Sequence, residues 1–450
     1  MSLVNVAITG LMVWLAAVDL PAGTELQYTG TLSQQTKTGM AEVKTFTLYA
    51  IVVNSEDGNA QLAYHLDERG GGSWGWPERF GLIPLTTPSP KTRLLRILYT
   101  HEGQQYPLPV RLPVFESLDK LAPQTSWTDG RLEFVVTRKR KVKERDCFQV
   151  EVSSNLGRVQ TLVIEASSGI LMSLDERVII GRGDEFQLKM ELQTQNQLSV
   201  ADLAKNRQPL DSLLAIQSGL NRTGEQKVVE LTGDQLNRVR SELPRLDKEA
   251  EGTAWSRIVA SVGRDLQQQQ KRLDGVAGLE KKLIGQPVPK WTLKLIDGSS
   301  ISDTDLKDKV VVLHFWQYRG EPLTEPYGQV GYLDFLNSNC KRRKLDVRII
   351  GINVDERFAN PQQTGSATRS MKSLLEFMKL SYDMATDDGS ILGDFGDPRS
   401  LGAPLPLWIV IGADGKVSHY HTGIYDIKPD EGLKQLDDEV IKAVRRQKGK

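Results

Sequence analysis

The sequence predicts a multidomain protein with a mostly antiparallel β domain at the N-terminus, a helical connector and an α/β domain at the C-terminus. In residues 21–197, apolar and polar side chains alternate with a period of two, which is typical of half-buried strands. Residues 198–282 instead carry apolar side chains at helical spacing. Residues 283–450 alternate continuous apolar runs with helical segments, a pattern that indicates a sheet flanked by helices.

The composition is that of an ordinary globular protein. The 450 residues are enough for two to four domains. Lysine and arginine number 57, as do aspartate and glutamate, so the charge gives no reason to expect a nucleic-acid partner. The only cysteines, Cys147 and Cys340, exclude a disulfide framework and a cysteine-rich zinc site, although one bridge between them stays open.

The N-terminus carries an apolar segment that predicts export. Residues 3–18 are apolar except for Asn5 and Thr9, with small residues at Ala16 and Ala17, as in a secretory signal peptide. No basic residues precede this segment, and an uncleaved anchor or a buried strand are the alternatives. A membrane span needs about 20 apolar residues, so we expect membrane contact only through residues 1–20, if they are retained.

Within the β domain, strands between 131 and 192 follow each other at intervals of about ten residues, which favours an antiparallel meander. A sandwich, a half-barrel and a barrel all remain open. The glycine run in 69–77 lacks the Lys-Ser/Thr of a phosphate-binding loop. We interpret it as a flexible loop carrying Trp74 and Trp76, with a ligand- or partner-contacting loop as the alternative.

The C-terminal elements predict a mixed sheet flanked by helices. The predicted strands are 310–316, 348–354, 407–411 and 417–421, and the predicted helices are 327–341, 366–380 and 431–446. A hairpin turn at 412–415 joins the last two strands.

This order of elements resembles the thioredoxin superfamily, and most of all its exported TlpA/ResA-like thiol-disulfide oxidoreductases. The sequence segments that carry the resemblance are 283–293, 297–298 with 305–313, 351–356, and 402–404 ahead of the 414–415 hairpin. The resemblance implies a thioredoxin-like domain in residues 283–450. It also implies a location in the cell envelope or periplasm.

The family's active site follows the central strand as Phe-Trp-x-x-Trp-Cys-x-x-Cys. Residues 315–323 here read Phe-Trp-Gln-Tyr-Arg-Gly-Glu-Pro-Leu, so Gly320 and Leu323 take the two cysteine positions. Pro322 keeps a proline between them, and Arg319 replaces the second tryptophan. Disulfide exchange requires a thiolate at the attacking position, so we expect no catalytic residue here, no redox activity and no cofactor.

The resemblance also implies a peptide-binding loop ahead of the strand at 407, because the family's cis-proline loop pairs with an extended peptide. Pro404 is the candidate cis-proline, although Pro406 follows closely and removes an N–H from this edge. A turn retained in shape only is the alternative. The predicted groove comprises Trp316, Arg319, Glu321, Pro322, Ala403, Pro404 and Leu405.

Three functions remain open from the sequence. The first is a redox-inactive protein that binds a protein or peptide partner; the second is an oxidoreductase working through Cys340 or Cys147. The third is a structural role, with the function held by the β domain. Basic neighbours would lower the pKa of Cys340 if it were exposed, whereas a packed thiol is the simpler interpretation of both cysteines. His419 and His421 share one face of a strand, but two ligands do not make a metal site, and we predict none.

Overall fold

The structure, a computed structural model, describes residues 20–56, 59–85, 95–115, 117–155, 159–221, 229–318, 329–427 and 430–448. The chain folds as two compact units, with the boundary between Leu266 and Gln267. This boundary falls inside the segment 198–282 that the sequence predicts as a connector. The predicted export segment, residues 1–20, lies outside the described residues except for Leu20. None of the described helices combines the length and apolar composition that a membrane span requires.

Within its described residues, the N-terminal unit is built on one open antiparallel sheet of ten strands. Its order is β4-β3-β2-β1-β12-β11-β10-β9-β8-β7, and β5 and β6 form a separate hairpin. The strands are β1 Thr24–Thr36, β2 Gly39–Glu56, β3 Asn59–Arg69, β4 Phe80–Pro84, β5 Leu95–His101, β6 Gln104–Val110, β7 Ser126–Asp129, β8 Leu132–Val142, β9 Arg145–Ser154, β10 Val159–Glu165, β11 Leu171–Ile180 and β12 Asp184–Gln197. The predicted antiparallel β domain is therefore confirmed. In the described part of the chain the edge strands β4 and β7 do not pair, so the sheet is not a closed barrel.

Three helices follow the sheet in the chain: α1 Val200–Gly219, α2 Gly233–Ala250 and α3 Ser256–Leu283. Side-chain caps define where the first two begin. The Ser199 hydroxyl accepts a hydrogen bond from the Asp202 N–H at 3.1 Å. Thr232 and Gln235 form a reciprocal capping box, with bonds of 3.0 and 3.3 Å.

The alternation of β3 places its side chains on two different cores. Leu62 and Leu66 belong to the large core on one face of the sheet, whereas Ala63 packs on the other face with apolar residues of the helices. Trp255 and Val262 are fully buried members of this second core. One amphipathic strand thus joins the sheet to the helices of the N-terminal unit.

A fully buried ion pair lies at the end of β3. Lys44 Nζ is 2.9 Å from Glu68 Oε2, and neither side chain is exposed. The same ammonium donates to the Gly72 carbonyl at 2.6 Å. Glu68 accepts from the N–H groups of Trp74 at 3.3 Å and Leu98 at 2.9 Å. The pair therefore fastens the glycine run to strands β2, β3 and β5.

The interpretation of residues 69–77 as a flexible loop is wrong. Trp74 and Trp76 are both buried, and each indole N–H has a partner. Trp74 Nε1 donates to the Arg96 carbonyl at 2.9 Å, and Trp76 Nε1 donates to Asp265 at 3.1 Å. The sequence shows the glycines but not the tertiary bonds that hold the segment in place.

The described residues of the C-terminal unit form one mixed sheet of seven strands in the order β14-β13-β17-β16-β15-β18-β19. The strands are β13 Thr292–Leu295, β14 Ser300–Ser302, β15 Val310–Trp316, β16 Val347–Asn353, β17 Asp383–Thr386, β18 Leu407–Ile411 and β19 Val417–Thr422. The helices are α4 Val330–Arg342, α5 Pro361–Met378, α6 Ser390–Asp394 and α7 Lys434–Lys448. Strands β15, β16 and β17 run parallel, and β18 pairs antiparallel with both β15 and β19. Separate hydrophobic cores cover the two faces of the sheet, which confirms the predicted mixed sheet flanked by helices.

We expect Lys44→Met to lower the free energy of unfolding by about 3–5 kcal/mol, because it leaves Glu68 as an uncompensated buried charge. Lys189→Met is the matched control. The Lys189–Asp175 pair, 3.8 Å apart, is about half exposed and should contribute under about 1 kcal/mol. Urea unfolding of the full chain, followed by tryptophan fluorescence, measures both variants. Equal stability of the two would contradict the expectation.

Candidate functional site

The groove predicted from the sequence falls only partly within the described residues. Arg319, Glu321 and Pro322 lie outside them, as do the two cysteine-equivalent positions Gly320 and Leu323. The structure describes the remaining predicted groove residues, which are Trp316, Ala403, Pro404 and Leu405. It also describes both residues that flank the segment 319–328.

Trp316 does not line an open groove. It is the last residue of β15 and is buried, with its ring stacked parallel to His314 at 6.3 Å and close to parallel to Tyr318 at 6.0 Å. Its predicted role as a direct peptide contact is therefore wrong. Because side chains alternate along a strand, the last one of β15, Trp316, points into the core. It supports the neighbouring residues through packing.

An aromatic and imidazole stack continues from His314 across β18 and β19. The register pairs His314 with Trp408 and Trp408 with His421, so these alternate residues share one face of the sheet. The His314 and Trp408 rings are 4.0 Å apart, and Tyr425 stacks on His421 at 4.1 Å. His419 Nε2 lies 2.7 Å from the Tyr425 hydroxyl. The predicted shared face of His419 and His421 is confirmed, and both imidazoles are engaged in this packing.

Burial keeps the two strand histidines neutral. Desolvation, reinforced by the neighbouring His419, lowers the pKa of His421 to about 4. Desolvation also lowers the pKa of His419. Neither imidazole is therefore charged near neutral pH.

A polar network fixes the backbone immediately before residue 319. The Tyr318 N–H donates to Asn353 Oδ1 at 3.1 Å, and Arg357 Nη2 donates to the Tyr318 carbonyl at 3.1 Å. Arg357 is itself held by the buried Asp355, with Nη2 and Oδ2 2.6 Å apart. The Val354 N–H continues the pairing by donating to the Trp316 carbonyl at 2.8 Å.

Gln329 fixes the backbone immediately after residue 328. It is fully buried and adopts a left-handed conformation with φ of 64° ahead of α4. Its Nε2 donates to the Tyr425 carbonyl at 2.6 Å, and its Oε1 accepts from the Tyr425 N–H at 2.8 Å. The side-chain amide of Gln329 thus pairs with both the N–H and the C=O of the buried Tyr425. Sequence reasoning missed Gln329, because no local pattern marks a glutamine that pairs with backbone 96 positions away.

The cis peptide bond lies between Leu405 and Pro406, so the choice of Pro404 as the cis-proline is wrong. Pro404 is exposed, whereas Pro406 is buried and directly precedes β18. The Pro406 carbonyl accepts from the Gly423 N–H at 2.7 Å. Both prolines precede the strand, and the sequence pattern alone does not separate them.

Leu405 presents the available backbone groups of this loop. Proline has no N–H, so Leu405 carries the only N–H donor of the segment 404–406. Among the residues that the structure describes, none hydrogen-bonds to the N–H or C=O of Leu405. Its side chain is half-buried, next to the buried Ala403. This single residue offers a donor and an acceptor to an incoming strand.

Both cysteines of the chain are packed in cores and free of disulfide bonds. Cys340 on α4 is 2 % exposed, and burial together with Asp437 raises its pKa to about 11. Cys147 on β9 is 1 % exposed, and burial raises its pKa as well. The basic neighbours of Cys340 therefore do not activate it, because its side chain faces the core.

Comparisons with known proteins agree with the fold of the C-terminal unit. Residues 284–420 match the model of the AhpC/TSA family. The chain is 30% identical over 142 residues to the thiol-disulfide oxidoreductase ResA of a Bacillus cereus strain, covering 31% of this chain and 70% of ResA. The chain belongs to the ResA-like thiol-disulfide oxidoreductases of the thioredoxin superfamily. ResA of Bacillus anthracis matches with the same identity and coverage.

Solved structures similar to the ResA-like region include a putative protein disulfide isomerase from Bacteroides thetaiotaomicron. It is 18% identical with a TM-score of 0.28, covering 36% of this chain and 90% of that one. A secreted Mycobacterium tuberculosis disulfide oxidoreductase homologous to E. coli DsbE is 17% identical with a TM-score of 0.25. That match covers 34% of this chain and 95% of the other.

We expect Gln329→Leu to lower the free energy of unfolding by about 2–4 kcal/mol, because it leaves the buried N–H and C=O of Tyr425 without partners. Gln363→Leu is the matched control, since Gln363 is exposed on α5 and should change stability by less than about 0.5 kcal/mol. Urea unfolding of the full chain compares them. A Gln329 variant as stable as the control would show that the amide pairing contributes nothing.

Proposed function

We propose that this protein is an exported, redox-inactive member of the ResA-like group that binds an extended segment of a protein or peptide partner. The observation that carries the proposal is the state of the thiols. The chain has two cysteines, both are buried, and neither occupies the positions at which the family holds its redox pair.

The absence of redox chemistry follows from the requirements of disulfide exchange. A thiolate must attack, and a second thiol must resolve the mixed disulfide. Gly320 has no side chain and Leu323 has only a hydrocarbon one. Cys340, with its pKa raised to about 11, is almost entirely protonated near neutral pH. The burial of this thiol argues against the alternative, an oxidoreductase that works through a single cysteine.

Peptide binding is supported by the Leu405 edge. An extended segment that adds to an edge makes main-chain hydrogen bonds and needs no sulfur. Within the described part of the chain, the N–H and C=O of Leu405 are unengaged and lie beside β18. Tyr318 and Gln329, the described residues on either side of 319–328, are both anchored by side-chain to backbone hydrogen bonds.

Export is supported by the apolar pattern of residues 3–18, which resembles a secretory signal. We accordingly assign the protein to the cell envelope or periplasm. The remaining alternative, a structural role for the C-terminal unit with the function held by the β domain, is an outcome of the binding experiment below.

In an insulin-reduction assay with dithiothreitol, we expect the full chain to give no acceleration above buffer. The double variant Gly320→Cys/Leu323→Cys should reduce insulin, because it returns thiols to the family positions. Titration with a thiol reagent should detect no cysteine in the native protein and two after unfolding. Turnover by the unmodified chain comparable to that of the double variant would overturn the redox-inactive assignment.

We expect the full chain to bind reduced, carboxymethylated lysozyme, an unfolded chain without free thiols, through Leu405. Leu405→Pro removes the only N–H of the segment and should weaken binding by about tenfold. Leu405→Ala keeps the N–H and should have a smaller effect. Fluorescence anisotropy measures the affinities, and circular dichroism checks folding. If both variants bind as the original chain does, the Leu405 edge is not the binding site and the structural role is favoured.

A further inference from the structure

The N-terminal unit contains a pocket of about 380 Å³ between β3 and α3 that is lined by four arginines. They are Arg69, Arg79, Arg257 and Arg264. The volume falls in the range of small-molecule sites. Neither the proposed function nor the ResA-like region uses this pocket.

Two periodicities bring the pocket residues together. Asp67 and Arg69 lie two positions apart on β3 and point to the same face of the sheet. Arg257, Ser261 and Arg264 are four and then three positions apart on α3, which places them on one face of the helix. Strand and helix thus each contribute a polar stripe to the same cavity.

Arg79 is held in position before any ligand arrives. Its Nε donates to the Trp74 carbonyl at 2.8 Å, and its Nη2 donates to Ser73 Oγ at 3.0 Å. The same loop is tied down by the buried Lys44–Glu68 pair. A guanidinium fixed in this way loses little side-chain freedom when it binds an anion.

The pocket carries more positive than negative charge. Among the described residues, Asp67 is the one carboxylate that lines the pocket, and it lies 3.9 Å from Arg69 and 3.8 Å from Arg257. Arg264 has no hydrogen-bond or ion-pair partner among the residues that the structure describes. Four guanidinium groups and one carboxylate give the lining a formal charge of +3, in a chain whose formal net charge is zero.

We propose that this pocket binds a small ligand through a phosphate group. Guanidinium groups match phosphate oxygens with paired hydrogen bonds, and the Ser261 hydroxyl adds a further donor on the helix side. A cleft lined by one sign of charge concentrates the field on an anion inside it. The single Asp67 cannot neutralise four cations, so a multiply charged anion is the complementary occupant.

The test is calorimetric titration of the full chain with pyrophosphate. The double variant Arg257→Gln/Arg264→Gln should lose about tenfold or more in affinity. Asp67→Asn removes the competing negative charge and should bind more tightly, an increase that a purely structural role for Asp67 would not produce. Arg182→Gln, at an exposed arginine in the turn after β11, is the matched control and should bind as the original chain does.

Circular dichroism of each variant without ligand verifies the fold. No saturable binding by the original chain, equal affinity in the double arginine variant, or tighter binding of citrate than of pyrophosphate would each overturn the phosphate assignment. Glycerol 3-phosphate and vesicles containing phosphatidic acid then separate the two sources of such a group. Competition of either with pyrophosphate supports the site, and identifies a soluble ligand or a lipid headgroup.

Discussion

The C-terminal unit depends on the complete burial of β15. All seven of its residues are buried, and the strand pairs in parallel with β16 and antiparallel with β18. Its end lies between Asn353, which pairs with Trp316, and Leu407, which pairs with Phe315. This position places the parts of the candidate site on both sides of β15. The Asn353–Arg357 network follows β16 on one side, and the Leu405–Pro406 bond precedes β18 on the other.

The sequence predicted the long elements because their signals are strong. Strand β18 is a continuous apolar run, β15 is interrupted only by His314, and β19 follows a hairpin turn. It did not delimit β13, β14 or β17, which have only three or four residues, too few for any period to appear. The five-residue helix α6 was not predicted, for the same reason.

The candidate site was predictable where it depends on residue type and not where it depends on tertiary contacts. The loss of both thiols is visible at Gly320 and Leu323 without a structure. The pairing of Gln329 with Tyr425 joins residues that are distant in the chain. The arginines of the N-terminal pocket come from the end of β3, from the residue before β4 and from α3, which begins nearly 200 positions after β3 ends. Such contacts leave no local pattern in the sequence, because the residues that make them are far apart in the chain.

Under the proposed function, the absence of cysteine at positions 320 and 323 changes what the Leu405 edge must do. An oxidoreductase holds its substrate through a covalent mixed disulfide, so its main-chain contacts need only orient the substrate. Without sulfur, non-covalent contacts must provide all of the affinity. Prolines on both sides of Leu405 limit this segment to one N–H, and the same prolines protect it from extended pairing with other edges. Under the proposed function, a partner would be held by main-chain pairing with one residue together with side-chain contacts. This predicts binding that is reversible and selective for side chains rather than for backbone alone.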